Sequence, residues 1–286
     1  MRRTLLHRIL AMAEAVALCA LLLIPCASPA LAEQAEEPEE DRVYSRVIDV
    51  PGIGELPYYA QNDPMWGAMA YRPKRTSAFI SMRVGGCGVT AVAMAVARQL
   101  SADELVTLAI KSRDVKKGFP ICECSVNGYQ HRSDEHEVFT PRTGEEYAQW
   151  LPAVIAGYAA GNNKRRLAFV SEGGGTKVKV CEEIADAYEL MYRGSHDWDE
   201  VTQALQNGWS VVTTVSKGIF TTGSHFLCIA GVADGYIYIL DPLMRDEYPT
   251  DKKKVLEIVE PGLVRAKEED RLRLGLSGFY MMKRAN

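Results

Sequence analysis

Beyond residue 32, this chain of 286 residues has no apolar run long enough to cross a bilayer, so the remainder is expected to fold as a soluble body. Basic residues are scattered. Apart from short runs such as Lys252 to Lys254 there is no cationic stripe, and the formal net charge is −4, so nothing suggests nucleic-acid binding and none is expected. Internal repeats are absent, which excludes a solenoid or propeller. Low-complexity sequence is confined to the acidic stretch EQAEEPEED at 33–41. Closely spaced cysteines are scarce too. Cys122 and Cys124 have one residue between them, short of the spacing of about two to four residues usual in zinc sites, so His131 and His136 nearby are not expected to complete a metal centre. With 47% apolar and 24% charged residues, the composition is neither disordered nor collagen-like and suffices for one large domain or two small ones.

What is present begins with a basic start, MRRTLLHR, an apolar core, LAMAEAVALCALLLIPCA, and the small residues SPALA. This pattern predicts a secretory signal over residues 1–32, cleaved after Ala32. The mature protein is then expected to be secreted or held at the cell surface, touching membrane only through the signal segment if that stays uncleaved. Pro25 before Cys26 argues against lipidation at that cysteine. Residues 33–42 read as an acidic, solvated linker. Five cysteines survive cleavage, namely Cys87, Cys122, Cys124, Cys181 and Cys228. An odd number leaves at least one thiol unpaired. Disulfides among Cys122, Cys124 and Cys181 are expected, with Cys228 a buried thiol in mid-strand.

The domain is read as residues 43–286. RVIDVPGIGELPYYAQ forms short extended segments broken by Pro51, Gly52, Gly54 and Pro57. In CGVTAVAMAVARQL the residues Val89, Val92, Ala93, Val96 and Leu100 recur at helical spacing. Ser101 with Glu104, and Thr143 with Glu146, predict capped helix starts, the second leading into one helix strained at Pro152. Residues 116–141 are polar and aperiodic and read as a loop or insertion. GGGTKVKV predicts a glycine turn and then an extended alternation. DWDEVTQALQN predicts a helix, with His196 before it as a surface or capping residue, and WSVVTTVS a strand. HFLCIAG and YIYILDP flank Ala233, Asp234 and Gly235 as an antiparallel hairpin, and LSGFYMMKR is a last strand. Helices first and strands late give an α+β class, N-terminal helices packed on an antiparallel sheet.

Chemistry concentrates in three places. Cys87 lies between glycines at a predicted helix start, where the dipole favours a thiolate and the backbone N–H faces a developing oxyanion. His225 and Asp241 lie eight residues either side of position 233. An odd-length loop centred there pairs them directly, with Leu227 opposite Ile239 and Ile229 opposite Ile237, all on one face. A carboxylate holding one imidazole nitrogen leaves the other free to move a proton. Gln61, in YYAQNDPMW, offers a neutral second donor for an oxyanion. Each residue alone has a plainer reading: Cys87 as a small buried hydrophobe or half a disulfide, His225 as a satisfied strand histidine, and Asp241 before Pro242 as a turn-former.

Taken in order, YYAQNDPMW, GGCGVTAVAMA, GSHFLCIAG and YIYILDP resemble the papain-like cysteine peptidases. The closer resemblance is to their bacterial branch related to bacteriocin-leader-processing peptidases. The resemblance implies a papain-like α+β fold and hydrolysis of a peptide or related amide bond through an acyl-enzyme. Cys87 would be the nucleophile, His225 the base, Asp241 its orienter and Gln61 the oxyanion donor. It further implies a peptide or protein substrate, no cofactor or metal, and a monomer. The 116–141 segment matches no part of that pattern, and no transporter is attached. Acyl transfer to an amine or thiol, as in transglutaminase-like or sortase-like reactions, and a triad-bearing binding module without turnover are the alternatives.

Overall fold

The computed structural model describes residues 42–69, 71, 81–109, 119–121, 137–139, 141–160, 168–170 and 175–285. The expected signal segment 1–32, the expected linker up to residue 41, and Cys122, Cys124, His131 and His136 lie outside them. Strands β1 (Arg46–Val50) and β2 (Gly54–Tyr58) form a hairpin across the Pro51–Ile53 turn, burying Ile48 and Val50 on one side. The helix Cys87–Ala97 follows the short turn Met82–Gly85, and every residue from Cys87 to Val96 is buried. A helix apolar all round belongs inside a core, which this composition dictates.

The expected helix starts at 101 and 143 are present. In the first, Ser101 N–H donates to Glu104 Oε2 at 2.8 Å and Glu104 N–H to Ser101 Oγ at 3.4 Å, opening the helix Ala102–Ala109. In the second, Thr143 and Glu146 form a reciprocal capping box. Two expectations are corrected. The single helix strained at Pro152 is two helices, Gly144–Gln149 and Leu151–Ala160, so Pro152 falls in a first turn, where its missing N–H costs nothing. The extended alternation after the glycines becomes a helix from Lys179 to Ala187. There Val180, Cys181, Ile184 and Ala185 recur at helical spacing and are buried. Within the 116–141 segment, β3 (Phe119–Ile121) and β4 (Glu137–Phe139) pair as a short antiparallel ribbon rather than forming loop alone.

The remaining elements are β5 (Leu190–Ser195), the helix Trp198–Gln206, β6 (Ser210–Val215), β7 (His225–Ala233), β8 (Tyr236–Leu240), β9 (Glu257–Glu260), β10 (Leu263–Lys267), a 3-10 helix (Glu268–Leu274) and β11 (Leu276–Arg284). Seven of the strands form one antiparallel sheet in the order β5-β11-β6-β7-β8-β10-β9. The class is α+β. Alternation along the strands splits the apolar residues between two cores. Phe226, Cys228, Ala230, Tyr238 and Leu240 join the helix Cys87–Ala97 on one face. Leu227, Ile229, Ile237 and Ile239 pack on the other, against Trp198, Val201 and Phe279.

The β7–β8 hairpin departs from the expected register. Its loop is the two residues Asp234 and Gly235, with φ of 51° and 77°, the pair of positive values that a tight hairpin turn demands. Ala233 therefore pairs with Tyr236, and a bulge between Ile229 and Gly231 sets Ile229 opposite Ile239. The expected odd-length loop placed every pair two residues away from this. At Gly235 an added Cβ would meet nothing within 4 Å, so substitution there acts through backbone strain alone. Gly235→Ala should cost about 1–2 kcal/mol in urea unfolding, while the apolar faces stay as they are.

Candidate active site

Cys87 opens the long helix at a point where both neighbours must be glycine. The reason is steric rather than conformational. Gly86 has an ordinary φ of −84°, but a Cβ on it would lie 2.5 Å from the Met82 carbonyl oxygen. One on Gly88 would lie 2.4 Å from the Thr176 Cβ. The chain thus folds tightly around the helix start and leaves Cys87 with 9% exposure. Tyr71, fully buried, meets Thr176 Oγ1 through its hydroxyl at 3.0 Å. Burial, reinforced by the nearby charge of Cys87, raises the Tyr71 hydroxyl well above its ordinary range, so it stays protonated.

His225 is the first residue of β7, held opposite Val215, and Asp241 is the first residue past β8. With the two-residue turn they are diagonal rather than directly opposed, yet the side chains meet, His225 Nε2 lying 2.6 Å from Asp241 Oδ1. Cys87 lies near enough to favour the protonated form of His225. Since Nε2 is taken by the carboxylate, Nδ1 is the nitrogen left for the thiol.

Asp241 has no exposed surface, and both of its carboxylate oxygens are hydrogen-bonded. Oδ1 also accepts from Leu243 N–H at 2.9 Å, and Oδ2 accepts from the Tyr248 hydroxyl at 2.9 Å. The Asp241 carbonyl accepts from Tyr58 OH at 2.8 Å, and its N–H donates to Gly262 O at 2.9 Å. Burial by itself would raise the carboxyl. The charge and hydrogen bond of His225, the charge of Arg245 and the Leu243 N–H outweigh it and hold Asp241 below the usual carboxylate range. Burial likewise opposes the charged form of His225. The Asp241 charge and hydrogen bond, with the Cys87 contact, win and raise the imidazole to about 9.

Gln61 is 3% exposed and bridges the two halves of the site. Its N–H donates to Pro242 O at 2.7 Å, beside Asp241, and its Nε2 donates to Arg83 O at 2.6 Å, just before the cysteine turn. Nε2 carries two hydrogens, and only one goes to Arg83. All four residues singled out from the sequence thus converge on one place. Sequence reasoning missed Tyr248, Tyr58 and Tyr71, which have no motif spacing because each acts through a contact made only in the folded chain. The expected disulfide at Cys181 is not formed. Cys181 and Cys228 are buried free thiols, and burial raises both, Cys228 to about 12. Among the described residues, no group of three or more His, Cys, Asp or Glu side chains is arranged to hold a metal, and no helix is long and apolar enough to cross a membrane.

The sequence model of a family described as Peptidase_C39 like family matches residues 53–260, which includes all four of these residues. No curated protein matches the chain.

Removing the carboxylate charge leaves burial as the dominant influence on His225. In Asp241→Asn, the imidazole should therefore titrate below its ordinary value of 6.5, as read by NMR of the histidine ring. In the wild type the folded protein holds the His225 proton to higher pH than the unfolded chain does. That stabilisation is complete below about pH 6.5 and is lost as pH rises to about 9. Urea unfolding across this window should show the decline in the wild type and not in Asp241→Asn.

Proposed function

Because the chain belongs to the Peptidase_C39 like family, we propose that it is a cysteine peptidase-type hydrolase that cleaves a peptide or related amide bond through a thioester on Cys87. The observation that carries this is the 2.6 Å contact from His225 Nε2 to Asp241 Oδ1, with Cys87 near enough to favour the imidazolium. The order of helix, then antiparallel sheet, supports a papain-like fold. The basic start, apolar core and small residues of 1–32 support export, and residues 33–42 support a linker to a domain beginning near 43.

The steps follow from the contacts. The His225 imidazolium, which holds its proton up to about pH 9, pairs with Cys87 Sγ, and the sulfur bonds to the substrate carbonyl carbon, whose π electrons move to oxygen. The second Nε2 hydrogen of Gln61 and the Cys87 N–H take that oxyanion. The tetrahedral centre collapses to a thioester. The C–N bond breaks, and His225 gives its proton to the departing amine. His225 then takes a proton from water, the hydroxide adds to the thioester carbonyl, and the Cys87 sulfur leaves with its bonding pair as the acid is released, His225 keeping its proton and so restoring the starting pair. Asp241 stays ionised throughout, holding the tautomer and stabilising the imidazolium.

Cys87→Ala should abolish hydrolysis of a quenched-fluorescence peptide library, and retained hydrolysis would refute the reading. Gln61→Ala removes one oxyanion donor and should lower kcat by about a hundred- to a thousandfold with KM little changed.

A further inference from the structure

A cavity of about 830 Å³ opens between the 217–222 loop, which leads into β7, and the 243–252 segment, which follows Asp241. Its charged lining is unbalanced, with Lys217, Arg245, Lys252 and Arg273 against Glu247. Arg273 is engaged by Asp270 at 2.6 Å. Lys217 and Lys252 have no ion-pair partner among the described residues. Arg245 donates from Nη1 to the Phe220 carbonyl at 2.7 Å, which fixes the guanidinium, while Nη2 is buried and meets no acceptor among the described residues. A buried donor without an acceptor is destabilising, and a ligand oxygen would relieve that. Ile219, Leu243 and Pro249 add apolar wall to the same space. The cavity therefore offers a fixed planar cation, two further positive charges and room for a hydrocarbon stem.

Its place in the fold ties it to the reaction site. Thr222 lines it three residues before His225, and Leu243 lines it two residues after Asp241. Leu243 N–H is a donor to Asp241 Oδ1, and Arg245 stacks over the Tyr248 ring at 5.6 Å while that tyrosine holds Oδ2. We propose that this cavity is a specificity subsite for an acidic side chain of the substrate, a Glu or Asp carboxylate held by Arg245 Nη2 in the field of Lys217 and Lys252. Guanidinium and carboxylate match in plane and charge, and the apolar wall covers the methylenes. The inference rests on the hydrolase reading for the word substrate, but the binding site stands or falls separately.

The test uses Cys87→Ala protein and three probes, acetyl-Ala-Glu-Ala amide, acetyl-Ala-Gln-Ala amide and acetyl-Ala-Ala-Ala with a free C-terminus, followed by amide chemical shifts. The Glu peptide should perturb residues 217–222 and 243–252 and bind about tenfold more tightly than the Gln peptide, a difference of about 1.4 kcal/mol. Lys217→Gln with Lys252→Gln, both exposed positions, should remove most of that difference, and the same double substitution in the active enzyme should lower kcat/KM for Glu-containing peptides only. Equal binding of Glu and Gln peptides, or perturbation elsewhere, overturns the subsite. Stronger binding of the free C-terminus than of the Glu side chain overturns the side-chain assignment in favour of a terminal carboxylate. Glu-selective binding in Cys87→Ala beside a wild type that hydrolyses nothing would keep the subsite and sink the peptidase reading instead.

Discussion

A carboxylate with no exposed surface, 2.6 Å from an imidazole, is the demand around which the rest of this structure is arranged. Leaving such a charge buried without partners costs several kcal/mol, so each of its oxygens must find a donor. Those donors come from separate parts of the chain. His225 arrives at the start of β7, Leu243 and Tyr248 from the segment after β8, and Tyr58 braces the Asp241 backbone from β2. Gln61 is fastened to Pro242 beside it. Satisfying one carboxylate thus draws the N-terminal hairpin, the cysteine turn and the central sheet to a single point.

The sheet divides labour between its faces. One buries the cysteine helix against Phe226, Cys228 and Ala230. The other buries Leu227, Ile229, Ile237 and Ile239 under the helix Trp198–Gln206. With both faces covered, the reactive groups collect where the strands end, and His225 and Asp241 occupy those ends. The family match stops at residue 260, yet the folded unit does not. β10 pairs with β8, and β11 fills the position between β5 and β6, so the chain up to Arg284 is needed to close the sheet that holds the site.

Legibility in the sequence followed the range of each interaction. The capping pairs at Ser101 and Thr143, the buried Cys87 helix and the β7–β8 hairpin rest on neighbours within a few residues, and periodicity exposes them. The hairpin register differs from the expected one because Asp234 and Gly235 form a two-residue turn in place of an odd-length loop, and a bulge shifts the strands beyond Ile229. The diagonal contact of His225 with Asp241 survives that error, since long side chains reach across a shift of two on the same side. β5, β9 and β10 carry weak alternation and earn their place only by pairing with distant strands. The helix at Lys179 was hidden by a four-residue alternation, KVKV, that suggested a strand. Tyr248 and Tyr58 could not be found at all, because their partner is Asp241 and the contact exists only in the fold.

The central claim is that His225 and Asp241 act on Cys87 and on no other thiol. Alkylation by iodoacetamide, quantified peptide by peptide as a function of pH, reads this directly. Cys87 should react faster than a free model thiol below neutral pH, lose that advantage in His225→Ala, and far outpace the buried Cys181 and Cys228. A Cys87 that reacts no faster than the model thiol, or equally fast with and without His225, would contradict the account.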